Sequence, residues 1–153
     1  MYFIYLPATW GQSKVTKSKE AFAMSVELEM LFWVSILTLF LWVPYVTSAI
    51  INDGLLAALK WQGNEKQRFL WAERAKRAHY NAIENLIPFA VIVLIAHLAN
   101  VSNETTASAA MAYFWLRVIH YLSYTFGISY IRTPAFIGSW LAQLFIVYQI
   151  IIH

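Results

Sequence analysis

The 153-residue chain contains no cysteine. Disulfides, thiolate metal sites and a cysteine nucleophile are therefore excluded, and any thiol chemistry must use a thiol carried by a ligand. Charge is scarce as well. Asp, Glu, Lys and Arg make up 12% of the residues, about half the ~25% of an average soluble domain. No Gly-rich phosphate loop and no serine-nucleophile motif occurs. What fills the chain is apolar, with 60% hydrophobic and 17% aromatic residues. A soluble domain this small cannot hide so much apolar surface. That excludes a disordered chain, a nucleic-acid-binding module and an ordinary cytosolic enzyme, and it implies a bilayer as solvent.

The apolar residues fall into four runs. Met30 to Asn52 carries no charge, and a hydrocarbon core of about 30 Å needs roughly 20 apolar residues as helix. Pro44 lies inside this run and predicts a kink or an unwound point. Further spans are read at about 77–99, 105–126 and 133–152. The fold class expected is an all-α integral membrane protein, a bundle of four transmembrane helices in one domain over 24–153. Asn103 suits an N-cap, with Glu104 in the first turn of the third span. Gly138 and Ala142 are at small-xxx-small spacing, which favours close helix packing in lipid. Trp61 and Trp71 are read as headgroup-level anchors. Residues 1–23 are read as an N-terminal extension, not native or disordered, with Met24 as the start. They carry Lys14, Lys17 and Lys19 where a tail on the far side should not be basic.

Ionisable residues inside spans are the informative ones, because each costs about 2.5–3.5 kcal/mol at a helix centre on insertion scales. Two clusters stand out. Arg74, Arg77, Asn81 and Glu84 are spaced 3, 4 and 3, which places them on one side of a helix. Arg77 and Glu84 are about 10 Å apart along the axis and cannot neutralise each other directly. Arg117, His120 and Tyr124, spaced 3 and 4 on the next helix, form the second cluster at the same depth. Arg117–Glu84 is the expected buried pair. The excess of cation over anion points to an anionic ligand rather than to helix–helix glue alone. His79 is turned roughly 200° from Arg77 at 100° per residue and is expected to face a neighbouring subunit or the membrane interface. His79, His97 and His120 are not at metal-ligand spacing, so no metal is expected.

The string Glu-Arg-x-x-Arg-Ala-His-x-Asn-x-x-Glu-Asn-x-x-Pro-Phe at 73–89, followed by Arg117-x-x-His120-x-x-x-Tyr124, resembles the MAPEG family. These are membrane-associated proteins in eicosanoid and glutathione metabolism. The resemblance covers about residues 28–150. It implies a homotrimer of four-helix subunits with glutathione bound between adjacent subunits towards the cytoplasm. It implies Arg77, His79, Asn81 and Glu84 from the second helix, and Arg117, His120 and Tyr124 from the third, as glutathione-binding residues. The family's transferases carry a thiolate-stabilising arginine nine residues past the tyrosine. Here that position is Thr133 and the arginine is Arg132, so a shortened turn over 127–132 would restore the match. Arg132, with Tyr124 or Thr133 assisting, is thus the expected catalytic group of a glutathione S-transferase or peroxidase. Its partner substrate would be a lipophilic small molecule entering from the membrane lipid. The alternatives are a non-catalytic lipid- or glutathione-binding trimer and a small four-helix exporter.

Basic residues set the orientation. After Met24, all Lys and Arg except Arg117 and Arg132 lie between Asp53 and Arg77, which makes the first connection cytoplasmic and puts both termini on the opposite side. A cysteine introduced as Asn64→Cys should therefore label only from the cytoplasmic face. Asn103→Cys should label only from the other face. Reversed labelling by a membrane-impermeant reagent would invert the topology.

Overall fold

The computed structural model describes residues 24–60 and 69–153. The expectations for residues 1–23, and the anchor role of Trp61, lie outside the described residues. Among the described residues every element is helical: α1 (Val26–Phe40), α2 (Val43–Asp53), α3 (Leu55–Leu59), α4 (Leu70–Leu98), α5 (Glu104–Phe126) and α6 (Ser129–Ile152).

The first apolar run is two helices. Ser25 caps α1 by accepting from the Leu28 N–H at 3.4 Å, and Glu27 and Glu29 sit in the first turn, where the helix dipole favours carboxylates. Pro44 occupies the first turn of α2. It has no N–H for the carbonyl four residues earlier, and the chain breaks at Leu41–Trp42. The Leu41 carbonyl exposed by this break accepts from the Tyr121 hydroxyl at 3.2 Å. Gly54, with φ +80, then turns the chain into the short α3.

Two expected boundaries move. The second span starts at Leu70 rather than near Arg77, so the charged run 73–77 is helical and Pro88 stays inside α4 without ending it. At 1.5 Å per residue the 29-residue helix is about 44 Å long, longer than the hydrocarbon core, and its basic first turns project beyond it. The last helix, expected from Thr133, starts at Ser129. The reason is Gly127. Its left-handed φ of +78 ends α5, with the Gly127 N–H bonded to the Ser123 and Tyr124 carbonyls. The Ile128 N–H also bonds to Ser123 O, a Schellman closure. Only Gly127 and Ile128 separate the two helices.

Among the described residues, three helical stretches are long and apolar enough to cross a membrane: Val26–Asp53, Leu70–Leu98 and Ser129–Ile152. α5 has the length, 23 residues, but spends positions on Glu104, Arg117 and small polar residues. Packing is inverted relative to a soluble protein. Arg117, His120, Ser139 and Gln143 are buried, while Leu39, Leu98 and Trp115 are exposed. α5 lies along α6 through small residues. A Cβ added to Gly138 would come within 3.0 Å of Leu116 Cδ1, as the small-residue spacing implied. The core has two layers. Phe89, Val93, Ala110, Tyr113 and Ile146 fill the half towards Asn103. Leu41, Ala75, Ala78, Ala82 and Tyr121 fill the half towards Gly127.

At the Asn103 end, a capping box forms. The Asn103 side chain accepts from the Thr105 and Thr106 N–H groups at 2.9 and 3.0 Å, and Thr106 Oγ1 accepts from the Asn103 N–H at 2.9 Å. Thr106 also donates to the buried Glu27 carboxylate. Ser102 donates to the same group at 3.1–3.2 Å. A carboxylate from α1 therefore docks at the N-terminus of α5. Thr106→Val keeps the shape and removes one donor to a buried charge, so it should destabilise by about 1–3 kcal/mol. Thermal unfolding in detergent would read this. An unchanged midpoint would make the contact incidental.

Candidate functional site

The four polar residues of α4 do not all point the same way. At 100° per residue, Arg74 and Asn81 lie within about 20° of each other, as do Arg77 and Glu84, but the two pairs are about 60° apart. α5 packs against the first pair. Asn81 is half-buried and its Oδ1 accepts from Arg117 Nη2 at 2.9 Å. The Arg74 guanidinium lies against Gly127, where any Cβ would collide with it. Arg77 and Glu84 stay exposed on the open side. The expected Arg117–Glu84 pair is thus corrected. The partner of Arg117 is Asn81, because the rotation of α4 that seats Asn81 against α5 turns Glu84 outward.

α5 delivers Arg117, His120 and Tyr124 together. Arg117 and His120 are each 3% exposed. Arg117 Nη1 and His120 Nδ1 are buried and have no hydrogen-bond partner. The His120 ring meets Tyr124 edge-on, centroids 5.7 Å apart, and lies 6.0 Å from Phe136 of α6. The two-residue turn at Gly127 decides which α6 side chain joins them. Arg132 stacks its guanidinium over the Tyr124 ring at 4.7 Å, a geometry that attracts a cation to the ring face. Thr133, next in sequence, is exposed. Arg132 is therefore the α6 residue that reaches Tyr124, and Thr133 is not part of that contact.

His79 sits apart from this group. It is buried against the break in the first span, and its Nδ1 is hydrogen-bonded to the Tyr45 hydroxyl at 3.1 Å. Within its own chain His79 thus has Tyr45 as a partner through Nδ1. An open groove of about 370 Å³ runs beside it between α1 and α4, lined by Ser35, Thr38, Leu39, Trp42, His79, Ile83 and Leu86. Among the described residues no three His, Asp or Glu side chains converge as metal ligands.

Sequence reasoning missed three participants. Tyr45 orients His79. Asn85 donates through Nδ2 to the Asn81 carbonyl at 2.8 Å. Tyr113, one turn before Arg117, donates to the Asn85 carbonyl at 2.9 Å. The i−4 spacing from Arg117 was the available signal for Tyr113, and the i+4 spacing from Asn81 for Asn85.

The arrangement can hold a ligand with several charges. Arg117 presents an unused donor atom, Arg132 sits at an aromatic face, and Arg77 and Glu84 offer opposite charges on the adjoining open face. Asn81→Leu removes the acceptor of a buried guanidinium and should destabilise by about 1.5–3 kcal/mol, the scale of a hydrogen bond to a charged group. Unfolding in detergent would measure it. A loss below about 0.5 kcal/mol would mean that Arg117 finds another partner without strain.

No curated protein matches the chain. A family comparison does. Residues 30–152 match the MAPEG family, a span that contains all six helices except the first turn of α1. The family includes glutathione transferases and related enzymes. Together with three helices long and apolar enough to cross a bilayer, the match makes the protein an integral membrane protein, and the chain belongs to the MAPEG family.

Proposed function

We propose that the protein is a glutathione-dependent membrane enzyme of transferase or peroxidase type, working as a homotrimer of four-span subunits. Its second substrate is a lipophilic electrophile or hydroperoxide that enters from the bilayer. The observation that carries this reading is the split of the α4 polar residues: Asn81 is committed to Arg117, while Arg77 and Glu84 face outward from a membrane-spanning helix. Arg77 belongs to the turns that reach the membrane surface, but an exposed Glu84, about 10 Å deeper along the axis, is expensive in lipid. A neighbouring subunit covers that face, and a ligand bearing two carboxylates and an ammonium meets both charges. α5 serves as the fourth span, its lipid-facing side carried by Trp115, Ile119, Leu122 and Phe126. The basic first connection supports a cytoplasmic position for the Gly127 end.

In this reading, arginines engage the glutathione carboxylates through bidentate, charge-assisted bonds. Glu84 takes the ammonium. A free thiol has a pKa of about 8.5 and is mostly protonated at neutral pH. A cation beside it favours the thiolate. Arg132, held at the Tyr124 ring, supplies that cation, and the Tyr124 hydroxyl supplies a donor. The thiolate then attacks the electrophilic carbon and a leaving group departs. With a hydroperoxide it attacks the terminal oxygen, the O–O bond breaks and the alkoxide leaves as the alcohol after taking a proton from water, and a second glutathione reduces the sulfenic acid to give the disulfide and water. His79, bonded to Tyr45 through Nδ1, lines the groove between α1 and α4.

Two outcomes test the assignment. Glu84→Gln should weaken glutathione binding by about 1.5–3 kcal/mol, read by calorimetry on the folded oligomer. Arg132→Leu should leave binding nearly intact and lower turnover about 10²–10³-fold, the scale of one preorganised electrostatic contact. The thiolate absorbance of bound glutathione should then appear at higher pH than in the wild type. Identical titrations with equal turnover would reduce Arg132 to a membrane-end anchor and favour a binding protein without catalysis.

A further inference from the structure

Tyr113 belongs to no expected part of the site. Its ring is wholly buried and stacks on Phe89, centroids 3.8 Å apart and planes 13° apart. Its hydroxyl reaches across from α5 to donate to the Asn85 carbonyl at 2.9 Å. Asn85 in turn donates through Nδ2 to the Asn81 carbonyl at 2.8 Å, and Asn81 Oδ1 takes the Arg117 bond at 2.9 Å. Tyr113 and Arg117 are one turn apart on α5, and Asn85 and Asn81 are one turn apart on α4. Two cross-helix bonds and one lengthwise bond therefore enclose the single turn that carries Glu84.

That turn needs holding. Pro88 has no N–H, so the Glu84 carbonyl loses its ordinary helical donor, and the ring crowds the same carbonyl. A helix is free to bend at such a point. The Tyr113 hydroxyl bonds the very next carbonyl, and its ring clamps the residue that follows the proline. We infer that Tyr113 is a positioning residue. Its hydroxyl fixes the α4 turn at 81–85 and so sets the direction of Asn81 towards Arg117 and of Glu84 towards the ligand. The inference rests on the glutathione reading above.

Tyr113→Phe keeps the ring and its stack and removes only the hydroxyl. Glutathione affinity should fall about 3- to 10-fold, the scale of one net hydrogen bond. In the Glu84→Gln background the same change should have less than about a 2-fold effect, because the group being aimed is already lost. Asn85→Ala, which breaks the lengthwise bond, should act in the same direction. Amide exchange should accelerate over residues 81–89 and stay unchanged elsewhere in α4 and α5. Unchanged affinity, or effects of Tyr113→Phe and Glu84→Gln that simply add, would overturn the positioning role. Faster exchange spread evenly over both helices would overturn it too, since that marks general packing. If the wild-type protein binds no glutathione, the glutathione reading falls with it. The exchange pattern alone then decides whether Tyr113 pins this turn.

Discussion

A guanidinium taken out of water must be hydrogen-bonded somewhere, and the bond from Arg117 to Asn81 satisfies that demand between α4 and α5. Desolvating a charge costs several kcal/mol per ion in real proteins. Such a contact is kept only if the surrounding helices hold both partners in register. That requirement fixes the rotation of α4, and the rotation decides everything else at this depth. It turns Ala75, Ala78 and Ala82 into the core, brings Arg74 to the glycine that ends α5, and leaves Arg77 and Glu84 on the open side. The neutral amide is a suitable partner. It accepts one bond without cancelling the charge, and the second Arg117 nitrogen stays unengaged.

The same logic appears at the other end of the bundle with the sign reversed. There the buried charge is a carboxylate, Glu27, and its donors are two hydroxyls next to the N-terminus of α5. α5 thus receives an anion at its positive end, in keeping with its macrodipole. It carries its own buried cation towards the opposite end. Between the two, alanine, serine and glycine line the contact of α5 with α6, beside the large side chains Phe89, Tyr113 and Ile146. This is how helices approach closely in a solvent as apolar as leucine.

Much of this was legible in the sequence. The Asn103 cap, the break at Pro44, the close approach at Gly138 and the pairing of α4 with α5 by polar residues follow from local chemistry at short spacing. The motif positions also carried the family resemblance, which the match over residues 30–152 bears out. What was not legible depends on rotation and on distant partners. A 3-4-3 spacing looks like one face, but it spans about 80°, and only the packed neighbour decides where that arc is divided. Glu27 meets residues 75 and 79 positions away, and His79 meets Tyr45 across a break whose angle no local rule supplies. The length of the turn before Arg132 was misjudged because Ser129 and Tyr130 do not announce a helix start. Gly127, whose backbone sets the turn, opens the short turn expected over 127–132. α5 shows the limit of counting apolar residues: Glu104, Arg117, His120 and its small polar residues lower its hydropathy, although its length of 23 residues is that of a span.

The break at Leu41–Trp42 has a mechanical consequence. A continuous 28-residue rod is about 42 Å long, well over the thickness of a hydrocarbon core, and a stiff helix meets that mismatch only by tilting as a whole. Two shorter rods joined at Leu41 meet it by changing the angle between them. Tyr121 tethers the joint itself to α5. The joint therefore gives the first apolar run a way to meet a change of thickness by bending between α1 and α2, without tilting α5 and α6, which carry Arg117, Tyr124 and Arg132.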